Sequence, residues 1–280
     1  KLIARLKELE VDHLDAVICS HPDEDHCGGL SAVLASTRTD AFYCSVDSWH
    51  TKVFSDVTKY VAEQGISVTI PQAGDTFAFS DASVEFLGPV VDYGDDPNEG
   101  SLVARVRYGE TSFLFTGDMG FEAEDDMLAA GVDVSATVLK VAHHGSAGSS
   151  STEFLQAVHP QYAVISVGAD NDYGHPTEAA LNRLSACGIP VYRTDLLGEI
   201  IAVSDGKTVT ITSASNEAPP ASDAASQTAG SYGYVGNSSS KVVHLASCGK
   251  LPGESNRVYF ASLDEALAAG YCKHANCLGN

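Results

Sequence analysis

The sequence predicts an α/β chain, an αββα sandwich, followed by a small α+β unit. Three observations predict it. Short apolar runs of strand length alternate with helix-patterned segments along the first two thirds of the chain. Hairpin signals interrupt that alternation, which suggests two mixed sheets with helices outside. A stretch at 213–231, SASNEAPPASDAASQTAGS, then breaks the pattern with almost no large apolar residue.

Leu2, Ile3, Leu6 and Leu9 have helical spacing. DAVICS (15–20) is a short buried strand, and SHPDEDH (20–26) is the loop that leaves it. Gly28 and Gly29 let the backbone turn closely into a short helix. AFYCS and ISVTI are strands on either side of a helical segment at 51–64, and DTFAFS and SVEFLGP are sheet strands. VVDYGDDPNEG (90–100), acidic and carrying Gly and Pro, is a loop. SLVARVRYG and TSFLFTGD form a hairpin around Gly109-Glu110. FEAEDDMLAA is a helix whose acidic first turn suits the positive end of its dipole. ATVLKVA is a strand ending at His143-His144, and YAVISVG is another. TEAALNRLSACG is a helix capped by Thr177 and stopped by Gly188. VYRTD and a hairpin turning at Asp205-Gly206 close the first domain. The expected organisation is a domain at 1–212, a flexible linker at 213–231 and a second unit at 232–280.

The 280 residues carry a formal charge of −21. Residues 231–280 hold four basic and three acidic side chains, so the acidity belongs to the larger domain and the linker. Such a surface repels polyanions and excludes broad electrostatic capture of nucleic acid, although a local metal site still attracts a phosphate. No apolar stretch approaches the ~20 residues a membrane helix needs. Of seven cysteines, Cys19, Cys27, Cys44 and Cys187 sit in apolar or tightly turned segments and read as buried thiols. Cys248, Cys272 and Cys277 cluster near the end.

SHPDEDH puts His21, Asp23, Asp25 and His26 within six residues after a strand. A loop this tight aims several side chains at one point, and imidazole with carboxylate suits divalent ions such as Zn and Mn. The bland alternative is a solvated acidic turn with a helix cap. FTGD (115–118) places Asp118 at another strand end, where a cap alone would also explain it. VAHHGS places His143 and His144 at a third. Adjacent side chains point in different directions, so one is a ligand and the other faces substrate or supports a ligand from behind. Three strand ends carrying Asp/His sets favour one site between sheets over three separate accidents.

H-x-D-x-D-H-x-G-G (21–29), TGD, K-V-x-H-H-G-S (140–146), ISVGxDNxYGHP (165–176) and YRTD (192–195), in that order, resemble the metallo-β-lactamase-like domain of ComEC-type competence proteins. The resemblance covers roughly 1–212. It implies a metallo-β-lactamase sandwich whose N-terminal strands are missing from this chain. It implies one complete metal position, Asp25, His26, Asp118 and His144, the last chosen over His143 because Gly145 follows it. A second position has His21 and Asp23, with Asp118 as a bridge. Asp23 stands where the wider superfamily has a histidine, and Asn98-Glu99-Gly100-Ser101 occupies the region of a further one. The implied reaction is hydrolysis by a metal-bound hydroxide, with Asp25 orienting it and accepting its proton. His143 and His175 are candidates for contacting the substrate, and Asp195 reads as structural.

The tail, GYVGNSSSKVVHLASC onward, resembles a small zinc-binding module like that of the Ada DNA-repair protein. His244, Cys248 and Cys277, with either Cys272 or His274, would complete a tetrahedral zinc. A disulfide from Cys248 is the alternative. Ser262 to Glu265 is a capping box for a helix ended by Gly270.

The expected function is a metal-dependent phosphodiesterase or nuclease, extracellular or in the cell envelope, with Zn or Mn in the hydrolase site and Zn in the tail. Phosphorylcholine esterase, lactonase and a non-catalytic binding module are the alternatives. A phosphodiester or nucleic acid is the expected substrate.

Overall fold

The computed structural model describes residues 2–214, 234–245, 248, 250–253, 256–260, 263–274 and 277. The expected linker lies outside the described residues from 215 on, and so do Ser262 and the side chains of Asp264 and Glu265 in the expected capping box. Spatial proximity groups the chain into two compact units, 1–137 with 204–209, and 138–203 with 210–280.

The first unit has four layers. Strands Val17–Cys19, Phe42–Cys44 and Val68–Thr69 run parallel, with Phe42–Cys44 in the middle. Their outer face is covered by Leu30–Ser36 and Lys52–Glu63, through Leu34, Phe54, Val57 and Val61. The longer helix starts where Thr51 accepts a hydrogen bond from the Phe54 amide, an N-cap. Strands Thr76–Phe79, Ala82–Gly88, Val103–Tyr108 and Thr111–Phe115 form an antiparallel meander. Ile18 and Tyr43 from the parallel sheet pack on Val84, Phe86, Leu102 and Ala104 of the meander. Helix Phe121–Ala129 covers the other side, with Met127 against Gly88. This is the helix–sheet–sheet–helix order expected for the fold.

In the second unit, Val138–Lys140, Tyr162–Ile165 and Val191–Arg193 are parallel neighbours. Helices Thr152–Val158 and Glu178–Ala186 are capped by Ser151 and Thr177. YRTD is divided between two elements. The strand stops at Arg193, and Thr194–Leu197 is one helical turn. Thr194 Oγ1 accepts from the Val167 amide at 2.8 Å and so ties this turn to the neighbouring strand end. Farther on, Tyr234–Asn237 lies between Val242–Leu245 and Arg257–Phe260, both antiparallel to it, and Cys272–Lys273 adds in parallel. Val243, Phe260, Ala266 and Tyr271 form the small core of this sheet.

One buried charge lies in the meander. Arg105 is 2% exposed and donates to Glu85 Oε2 at 2.7 Å, and to the Asp133 and Ser135 carbonyls at 2.6 and 3.1 Å. Its partners fix the segment after helix Phe121–Ala129 to the sheet. Replacing Arg105 with Ala leaves Glu85 and two carbonyls without their donor. The expected loss is about 3–5 kcal/mol, read from urea unfolding, while Arg107→Ala, half-exposed nearby, should cost under 1 kcal/mol.

Candidate metal centre

The centre is built from strand ends. Val17–Cys19 delivers Ser20 and His21, and the following segment is not all loop, because Glu24–Cys27 forms a helical turn. That turn brings His26 back beside His21, with ring centroids 4.1 Å apart. Two thiols hold the backbone here: Cys19 donates to the His21 carbonyl and Cys27 to the Pro22 carbonyl, at 3.1 and 3.2 Å. Both thiols are buried, as expected, and their pKa values are raised, Cys19 chiefly by its contact with Cys44 and Cys27 by burial.

In the first unit the ligand atoms of Asp25, His26 and Asp118 all lie within 4.8 Å of one another. His26 Nε2 is 3.1 Å from Asp118 Oδ1 and 3.7 Å from Asp25 Oδ2. Asp118 is buried and Asp25 is exposed, so one carboxylate is fixed and the other is open to solvent. His21 is fully buried, with Nε2 3.9 Å from Asp23 Oδ2. Carboxylate oxygens and imidazole nitrogens in this proximity fit a borderline divalent cation.

Two serines that the sequence did not single out tie these groups together. Ser20 Oγ lies 3.1 Å from His21 Nδ1 and 3.3 Å from His26 Nδ1. Ser101 Oγ accepts from the Asp118 amide at 3.0 Å and lies 3.2 Å from His21 Nδ1. A hydroxyl has one proton and two lone pairs, so Ser20 donates to at most one imidazole. When both rings turn Nε2 lone pairs to a cation, both Nδ1 atoms carry protons and Ser20 accepts from each. This is the usual way a ligand imidazole is aimed. The close approach requires Gly117 of FTGD. It has φ +52°, and a Cβ there would stand 2.7 Å from the Ser101 side chain and 2.9 Å from Ser20 Cβ.

Glu99 stands in the region where the superfamily has a histidine. Its Oε2 accepts from the amides of Gly120 and Ala123, at 3.1 and 2.9 Å, and so caps helix Phe121–Ala129. Burial raises its pKa, and the two amides act against that rise.

The second unit carries His143, His144 and His175. His143 and His144 both have left-handed backbones, φ 48° and 53°, an uncommon conformation for consecutive non-glycine residues. Their ring centroids lie 6.4 Å apart with the planes at 82°. His144 Nδ1 is 2.6 Å from the Ser166 carbonyl. A carbonyl only accepts, so Nδ1 holds the proton and Nε2 is the lone-pair nitrogen, the form a ligand takes. That form lets the His144 Nε2 act as a ligand atom, the role the resemblance implies for it. His143 packs at 5.6 Å from His175. Asp195 is paired with Arg193, Nε to Oδ1 3.1 Å, in the structural role expected of it.

A separate group lies in the tail. The donor atoms of His244, Cys248, His274 and Cys277 fall within 4.8 Å of one another. His274 Nδ1 is 3.2 Å from Cys277 Sγ and 3.8 Å from Cys248 Sγ, and the two imidazoles lie 4.0 Å apart. Of the alternatives in sequence, His274 joins the set. Cys272 is exposed on its strand and does not. Burial, then the neighbouring His274, holds the His244 pKa below its ordinary value, which favours the neutral imidazole.

The serine contacts make a direct expectation. Ser20→Ala should weaken divalent-metal affinity roughly 10- to 100-fold, with little change in melting temperature of the metal-free protein. Titration with Zn or Mn followed by calorimetry checks it, and unchanged affinity would remove Ser20 from the ligand scaffold.

Among the described residues no helix is long and apolar enough to cross a membrane. Three curated relatives are similar over most of the chain. ComE operon protein 3 of Bacillus subtilis is 32% identical over 199 residues, 71% of this chain and 26% of that protein. Competence protein ComA of Neisseria gonorrhoeae is 36% identical over 200 residues, with the same shares. Recombination protein 2 of Haemophilus influenzae is 31% identical over 189 residues, 67% of this chain and 22% of that protein. The chain spans about a quarter of the length of these relatives. The family model of the metallo-beta-lactamase superfamily matches residues 1–169. With that match over more than half its length, the chain belongs to the metallo-beta-lactamase superfamily.

Proposed function

We propose that residues 1–212 act as a divalent-metal-dependent phosphodiesterase, working on nucleic acid or a related phosphodiester. The observation that carries this is the gathering of Asp25, His26 and Asp118, and His144 is proposed as the fourth ligand on the strength of its tautomer and of the motif it stands in. The competence and recombination names of the relatives supply the link to nucleic acid. Superfamily membership supports metal-dependent hydrolysis in general.

A divalent ion held by these side chains lowers the pKa of a bound water toward ~7 and polarises a phosphoryl oxygen. Each residue then has a distinct task. His26 and Asp118 hold their atoms in place, since Asp118 is buried and its amide is fixed by Ser101. Asp25 is the exposed carboxylate and accepts the proton of the attacking water. His144 presents Nε2 because Ser166 occupies Nδ1. His143 and His175 beside it face the substrate and stabilise the charge on the leaving oxygen. His21 and Asp23 offer a poorer set, which should hold a second ion weakly, Mn in preference to Zn.

The tail, 232–280, is proposed to be a zinc-stapled module with His244, Cys248, His274 and Cys277 as ligands. Two imidazoles and two thiolates are a usual tetrahedral zinc set. The core of Val243, Phe260, Ala266 and Tyr271 is too small to hold such a unit without a staple.

Asp25→Ala and His26→Ala should each abolish hydrolysis of an oligonucleotide with added Mn or Zn, while circular dichroism stays native. Near-native turnover in both would end the proposal. Metal analysis should give one tight divalent ion in the hydrolase part, and two equally tight ions would contradict the ligand count.

The tail answers to different reagents. Its binding energy is folding energy, so a strong chelator should unfold strands 234–245 and 257–260 while a reductant alone leaves them intact. Hydrogen exchange of the full chain reads this locally. Cys248→Ser should mimic the chelator, and Cys272→Ser should not. Sensitivity to reductant with indifference to chelator would replace zinc by a disulfide.

A further inference from the structure

Among the described residues Tyr173 is the most exposed large apolar side chain. It is 82% accessible, against 47% for Phe115, the next most exposed aromatic residue. A ring left in water to this extent is usually loose. Here it is held. The Asn171 side chain donates to the carbonyls of Gly168 and His175, at 2.9 and 2.7 Å, and accepts from the His175 amide at 2.9 Å. These bonds close the 168–175 loop on itself. Tyr173 lies parallel to His175, ring centroids 6.0 Å apart and planes at 22°, and His175 meets His143 edge-on at 5.6 Å.

The loop is also pinned to the histidine turn. Thr177 donates through its amide and its hydroxyl to the Gly145 carbonyl, at 2.9 and 3.1 Å. Pro176 packs so closely on Gly145 that a Cβ there would lie 2.6 Å from it, and Gly145 has φ +84°. The row Tyr173, His175, His143 is therefore fixed relative to His144, the residue beside Gly145 in the chain.

The chemistry of this row favours a flat ring. Asp170 and Asp172 precede Tyr173 and are exposed, and no Lys or Arg lies within residues 168–177 to receive a phosphate. A polyanion that approaches a chain of charge −21 must be held by contacts other than charge. Aromatic faces do this for unstacked bases, independently of sequence. The geometry points to Tyr173 as a stacking platform for one nucleobase of a single-stranded substrate, held in a fixed relation to His143 and His144. A base inside a duplex has no free face for it. The inference rests on the phosphodiesterase reading for its substrate.

Fluorescence of short single-stranded oligonucleotides with 2-aminopurine at successive positions tests it, on the metal-free full chain, so that binding is read without cleavage. Wild type and Tyr173→Phe should quench one position, and Tyr173→Ala should lose that quenching and bind roughly five- to a hundredfold more weakly. Affinity should depend only shallowly on salt, because few phosphates are neutralised. Cleavage of the same oligonucleotides with Mn is measured in parallel. Quenching without cleavage would keep the platform and sink the phosphodiesterase. Cleavage with equal quenching and affinity in Tyr173→Ala would sink the platform alone. No binding by wild type, or preferred binding of duplex, would overturn the platform whatever the cleavage result. An abasic site at the quenched position should weaken wild type as much as Tyr173→Ala and add nothing to that variant.

Discussion

The contact between Ser101 and the two groups it touches, His21 and the Asp118 amide, is the constraint on which the metal centre depends. It joins His21, just past a parallel strand, to Ser101, 80 residues farther on and just before strand Val103–Tyr108, and to Asp118, where the chain leaves the meander. Through Ser20 the same hydrogen-bonded cluster reaches His26. All of these groups are buried or nearly so, and in a low-dielectric setting an unpaired polar atom is costly. The cluster therefore admits few arrangements, and the ligand atoms inherit that narrowness. Packing of the two sheets through Ile18, Tyr43, Phe86 and Leu102 supplies the platform beneath it.

Much of the site was legible because metal ligation demands particular residue types at strand ends. SHPDEDH, FTGD and HHGS announce themselves by chemistry that a core or a loop has little use for. Serines carry no such signal. Ser20 and Ser101 gain their role only from a contact across the fold, and Gly117 only from what lies above it. The helical turn Glu24–Cys27 was hidden for another reason: four residues give too short a stretch for periodicity, and the turn is held by its thiols and by the main chain.

The tail shows the same boundary. Its ligand types were readable, but the choice between Cys272 and His274 was not. It follows from strand register. Cys272 pairs with Val242 on an exposed strand, while His274, just past the strand end, donates its amide to Val243 and comes beside His244. The layers of the first unit were readable from alternation and hairpin signals, and so was the cap at Thr177, where side chain and position agree. The turn Thr194–Leu197 carried no signal in sequence, being four residues long and tied to its neighbour by one threonine hydroxyl.

Glu99 bears on which residues position 99 accepts. Its carboxylate holds two amides at the start of helix Phe121–Ala129, in the region where other members of the superfamily place a histidine. Any exchange at 99 that removes this carboxylate leaves the Gly120 and Ala123 amides without their acceptor, so the identity of residue 99 is constrained by the folding of a helix, independently of anything the neighbouring carboxylates and imidazoles bind.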